Sequence, residues 1–142
     1  MTETLLTRAD FLGDWRLSRR IDDRLAGSSG VFEGTARITA KGASEARYAE
    51  TGLLRLGDSP PLQAERQYLW TFEGRDLAIR FADGRDFMRF TPAGLVAEAV
   101  HGCAPDTYRV VHDFRAWPRW RADWTVTGPR KDYCLHTEWC RP

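Results

Sequence analysis

The densest set of chemically capable side chains in the sequence is His101-Gly-Cys103-Ala-Pro105-Asp106-Thr-Tyr108. Imidazole, thiol and carboxylate in so short a span could supply a thiol–imidazole pair or part of a metal site. The spacing is neither Cys-x-x-Cys nor His-x-Glu with Pro-Cys-x-x-Cys, so no metal site is expected. If His101 and Cys103 lie on one extended strand, their side chains share a face ~7 Å apart, beyond a direct hydrogen bond. The cluster reads first as a strand end and turn, with Asp106 capping loop amides and Cys103 packing as a small hydrophobe. Its second reading is a ligand contact. His101, Asp106 and Tyr108 stay open as an acid–base set for an enzyme acting on a small molecule.

Two further stretches could do chemistry. Trp124-Thr-Val-Thr-Gly128-Pro-Arg130-Lys131-Asp-Tyr133 reads as a hairpin that puts two cations at one rim, where they could meet a carboxylate or phosphate. Arg115-Ala-Trp-Pro-Arg-Trp-Arg-Ala-Asp-Trp124 interleaves Arg with aromatics, as single-strand nucleic-acid grooves do. Asp113 and Asp123 flank it, and the net charge is only +1. Arg stacked on Trp at a strand surface explains the pattern as well, and no nucleic-acid partner is expected.

These residues must be positioned by about ten short runs that alternate apolar and polar with a period of two. Trp15, Leu17, Arg19 and Ile21 share a side in the first run, and Tyr48, Glu50, Gly52 and Leu54 in the third. Arg66, Tyr68, Trp70 and Phe72 share one face; Phe87 and Arg89 another; Tyr108, Val110, His112 and Phe114 another. Gly and Pro clusters separate the runs, and Asp83-Gly84 is the best hairpin turn. Helix signal is confined to Thr7–Leu12, with Thr7 as the cap and Phe11 and Leu12 tucked in. At 142 residues the chain has the length of one domain, expected over 1–142. No apolar run approaches the ~20 residues of a membrane-spanning helix, and no membrane partner is expected. The N-terminus has no positive or apolar signal region, and three cysteines are an odd count, so a reduced, cytoplasmic protein is expected. Cys134 and Cys140 sit too far apart on one strand to bond.

Several inward faces mix aromatics with charge. A dry sandwich core rejects an unpaired Glu50 or Arg66, whereas a barrel holding a ligand accepts them around its cavity. A one-residue bulge would instead turn such charges outward. The interior candidates are Tyr48, Glu50, Arg66, Tyr68, Trp70, Arg89, His101, Tyr108, Trp124 and Tyr133, with Lys131 at the rim and Glu50 paired to Arg66. An aromatic pocket with a few convergent polar groups is the default small-molecule site.

Gly13-Asp-Trp15 resembles the Gly-x-Trp opening strand of calycin barrels. That resemblance implies a Trp15 closing one barrel end against a late Arg, either Arg141 or Arg130. Gly13-Asp-Trp15, Phe32-Glu-Gly34, Tyr48-Ala-Glu-Thr-Gly52, Arg66-Gln-Tyr68-Leu-Trp70, the His101–Tyr108 cluster and Trp124–Tyr133 together resemble an uncharacterised, mainly bacterial family. It is the domain-of-unknown-function family numbered six-three-one-four. The resemblance implies a lipocalin-like barrel and supplies no activity or cofactor. Nitrobindin-like haem barrels use a late-strand His, which only His136 matches by position. His136 has the parity of the polar face, so no cofactor is expected and haem is the lesser alternative.

The fold expected is all-β: a calycin-like (lipocalin-like) antiparallel up-and-down barrel of about ten strands with a short N-terminal helix. The function expected is binding of a small amphipathic or anionic ligand inside it. The alternatives are the enzyme, the haem barrel, and a filled structural barrel with a protein partner. A homodimer is compatible with any of these.

Overall fold

A computed structural model describes residues 4–142, apart from the side chains of residues 95–99 and Cys103. The expected packing of Cys103 thus lies outside the described residues. One helical turn, α1 (Arg8–Phe11), precedes ten strands: β1 (Gly13–Asp23), β2 (Ser28–Lys41), β3 (Glu45–Leu56), β4 (Leu62–Glu73), β5 (Asp76–Phe81), β6 (Asp86–Phe90), β7 (Leu95–Cys103), β8 (Asp106–Asp113), β9 (Trp120–Gly128) and β10 (Lys131–Cys140). All pairings are antiparallel, in the order β6-β5-β4-β3-β2-β1-β10-β9-β8-β7. The last strand thus pairs with the first. β6 and β7 approach each other without a shared ladder, giving a nearly closed barrel. Beside that seam the N-terminal segment adds a Leu5–Ala93 bridge and a Leu6 N–H bond to the Pro92 carbonyl at 2.9 Å. No helix among the described residues is long and apolar enough to cross a membrane.

Alternation sets which side chains face in. On β1 Trp15, Leu17 and Arg19 are buried while Asp14, Arg16, Ser18 and Arg20 are exposed. Asp83-Gly84 turns β5 into β6, with Gly84 at φ +93° and the Asp83 carboxylate accepting from the Arg85 N–H at 3.0 Å. A residue with a side chain rarely adopts that backbone, which is why glycine stands there.

Up-and-down winding puts α1 and the 42–44, 74–75, 91–94 and 114–119 connections at one end. That end is plugged. Phe11, fully buried, meets Trp117 at 5.0 Å, Trp70 at 5.4 Å and Trp120 at 5.6 Å between ring centroids. Trp15 donates its indole N–H to the Phe11 carbonyl at 2.8 Å, and the Arg141 guanidinium lies 3.7 Å over its ring. Of the two late arginines implied by resemblance, Arg141 is therefore the one that closes this end. It also donates to the carbonyls of Asp10, Leu12 and Asp14, tying the C-terminus to α1. The Arg–Trp stretch of 115–124 is spent here. Trp120 is buried in the plug, Trp117 packs against it, and Arg115, Arg119 and Arg121 pair with Asp113, Glu138 and Asp123.

Candidate functional site

Above the plug the lumen is not filled. A cavity of about 110 Å³ is bounded by side chains from eight strands and by Phe11 and Phe114. For scale, a cavity of ~150 Å³ in another protein admits benzene. Tyr48, Tyr68, Trp70, Tyr108, Trp124 and Tyr133 all line it, as do Glu50 and Arg66. Aromatic order is high: Phe87 stacks on Trp124 at 5.1 Å, Tyr48 on Trp70 at 5.5 Å, and Trp120 on Trp139 at 3.8 Å.

The charged wall differs from the expected pair. Glu50 is opposite Arg66 in the β3–β4 register, yet its ion partner is Arg19 on β1. Arg19 grips both carboxylate oxygens, at 2.7 and 3.0 Å, and its Nε donates to Thr137 at 2.8 Å. The reach across β2 is possible because Gly34 and Gly52 face each other there, so close that a Cβ on either would overlap the opposing backbone. Trp139 donates to the Tyr48 hydroxyl at 3.0 Å, and Tyr48 donates to Glu50 at 2.7 Å. Burial alone would raise the Glu50 carboxyl, but the hydrogen bonds and charge of Arg19 and the Tyr48 bond hold it below the ordinary value. Tyr48 is pushed well above its ordinary value by burial and the Glu50 charge. This network is satisfied internally.

Arg66 is left for the solvent side. β5 ends at Phe81, opposite Tyr68, so Leu62–Gln67 of β4 run past it and place Arg66 at the open rim. Arg66 is exposed, lines the cavity, and has no ion-pair partner among the described residues.

The rim cation Lys131 is occupied. Lys131 Nζ donates to the Tyr108 hydroxyl at 2.9 Å and meets the Asp106 carboxylate at 3.0 Å, contacts that raise its pKa. This takes up two members of the proposed acid–base set. His101 is Tyr108's partner in the β7–β8 register, with rings 5.8 Å apart, and also packs edge-on to Phe87 at 5.4 Å. No hydrogen bond among the described residues joins His101 to Asp106. Arg89 does not belong to the interior. It is exposed outside the wall, bonded to Glu73 at 2.6 Å and Asp76 at 3.0 Å. The reason is a bulge: Met88 pairs with Ile79 and Asp86 with Arg80, leaving Phe87 unpaired. Phe87, Met88 and Phe90 all line the cavity, and Arg89 is turned out. His136 lies on the outer face of β10, with Nδ1 2.8 Å from Asp123 and Nε2 3.7 Å from Asp22.

Arg19, His112 and Trp120 are among the lining residues absent from the expected set, although their alternation carried the signal. Arg19 shares the face of Trp15 and Leu17. Trp120 begins the β9 run, and His112 follows Tyr108 and Val110. His112 is 4% exposed, stacked on Phe90 at 4.0 Å and on Phe114 at 5.9 Å. Among the described residues, neither of its ring nitrogens has a hydrogen-bond partner, nor does Trp120 Nε1. Burial drives the His112 pKa down to about 3, so the imidazole is neutral.

Comparison with known proteins returned three findings. A family described only as a family of unknown function matches residues 11–141. No curated protein matches the chain. Among solved structures, the chain superposes on an S-type phycobiliprotein lyase from Guillardia theta with a TM-score of 0.69 and 12% identity, covering 95% of this chain and 90% of that one. A protein of unknown function from the DUF3598 family of Nostoc punctiforme gives 0.60 at 12% identity, covering 96% of this chain. The match spans about half, 49%, of that protein.

Proposed function

From the premise that the chain belongs to DUF6314, a family of unknown function, we propose that this barrel binds a small, amphipathic, anionic molecule in its lumen. The observation that carries the reading is the aromatic cavity lined at its open rim by the Arg66 guanidinium, which has no ion-pair partner among the described residues. Apolar rings remove the body of a ligand from water, worth about 25 cal/mol per Å² of apolar surface. The rim cation then orients a carboxylate or similar group toward solvent. Inside, the Arg19–Glu50 pair is neutral overall and already bonded, so it leaves no charge for a ligand to meet. The likeness to a phycobiliprotein lyase supports the reading at the level of the barrel alone.

The test is a titration with biphenyl-4-carboxylate, followed by quenching of the lumen tryptophans Trp70, Trp120, Trp124 and Trp139. Saturable one-to-one binding is expected, about two- to fivefold tighter than for biphenyl-4-carboxamide at low salt, as an exposed ion contact allows. Arg66→Gln should remove that preference and leave the fold intact. No saturable quenching by either probe would refute the proposal.

A further inference from the structure

The deep end of the cavity carries polar atoms that the fold itself does not use. His112 Nδ1 and Nε2 and Trp120 Nε1 are buried without a partner among the described residues, at 4% and 3% residue exposure. Buried polar groups are nearly always satisfied, and an orphan calls for a specific reason. Two orphaned rings on adjacent strands, lining the same cavity, supply one: an outside group completes them.

Resting on the lumen reading above, we propose that His112 and Trp120 form a neutral anchor for an uncharged hydroxyl or carbonyl at the buried end of the ligand. Their atom types define the complement. A neutral imidazole has one N–H and one bare nitrogen, and an indole has one N–H. A hydroxyl can accept from Trp120 and donate to the bare nitrogen of His112. A carbonyl can accept from both rings. An ionised group is disfavoured among Phe90, Phe114 and the plug, where its lost hydration has no opposite charge to replace it. The Phe90 stack holds the imidazole plane in place, so the anchor is set before a ligand arrives.

The strands also fix the ligand's length. His112 is four residues below Tyr108 on β8, and Trp120 four below Trp124 on β9, an offset of about 13 Å at ~3.3 Å per residue. Arg66 stands the same four residues above Trp70 on β4. The ligand class is therefore flat and aromatic, roughly 10–13 Å long by that rise, with a neutral oxygen on the one ring that the cavity of about 110 Å³ encloses and an anion on the part that extends through the open rim.

The experiment compares 4′-hydroxybiphenyl-4-carboxylate with biphenyl-4-carboxylate, which share length, rings and anion and differ in the one oxygen. At pH 7 the phenol is neutral. The hydroxylated probe should bind about tenfold more tightly, as one or two completed buried hydrogen bonds allow. In a ¹⁵N spectrum only that probe should move the Trp120 indole N–H strongly downfield. His112→Phe and Trp120→Phe should each bring the ratio of the two probes' affinities toward one, whatever either change does to the affinity for biphenyl-4-carboxylate. Equal affinities in the wild-type protein would overturn the anchor and leave the lumen reading standing. Failure of both probes to bind would overturn both.

Discussion

Lowering the pH should destabilise this protein through His112 in a way that can be separated from every other group. In the folded barrel burial sets its pKa at about 3, whereas an unfolded histidine titrates near 6.5. The unfolded chain therefore binds the proton first. A depressed histidine pKa leaves stability unaffected above about pH 6.5 and erodes it as pH falls from there toward 3. At pH 5 the unfolded imidazole is almost fully protonated and the folded one is neutral. The linkage relation then gives a loss of about 2 kcal/mol relative to pH 8, rising to roughly 4 kcal/mol near pH 3. Urea unfolding followed by tryptophan fluorescence at pH 8, 6.5 and 5 measures it. With a urea slope of ~1–3 kcal/mol/M, the midpoint should fall by on the order of 1 M between pH 8 and 5 from this group alone. His112→Phe keeps the ring stack on Phe90 and removes the titration, so its midpoint should lack that component. Other groups act equally on both proteins and cancel in the difference. Parallel pH profiles for the two would refute the placement of His112 as a buried, unpartnered imidazole.

Other outcomes follow from the same geometry. Arg19→Met should cost about 3–5 kcal/mol because it strands the Glu50 charge inside the wall, and Arg19→Met/Glu50→Gln should recover part of that loss in a double-mutant cycle of denaturation midpoints. Arg89→Ala breaks only exposed ion pairs with Glu73 and Asp76, so its midpoint should shift by less than ~1 kcal/mol and its probe affinities should match wild type.

Most of the barrel was legible because a period of two is a direct projection of strand geometry. Trp15, Leu17 and Arg19 face inward as their alternation requires, and Asp83-Gly84 turns where its chemistry demands. What failed to show were features set by neighbours distant in sequence. The partner of Glu50 depends on a glycine-lined gap that lets Arg19 reach over β2. Arg89 was assigned to the interior because a bulge at Phe87 has no local signature when apolar residues crowd a short strand. Lys131 was a candidate to meet an anion at the rim, but Asp106 and Tyr108 already hold it across the β8–β9–β10 sheet. His112 was visible as an inward position, yet only three-dimensional packing reveals that nothing bonds it.

The most direct test is a crystal structure of the protein with 4′-hydroxybiphenyl-4-carboxylate. The account predicts one ring in the lumen and the other at its open rim, the hydroxyl within hydrogen-bond distance of His112 and Trp120, and the carboxylate at Arg66. A lumen closed by its own side chains, with the probe on the outer wall, would contradict it.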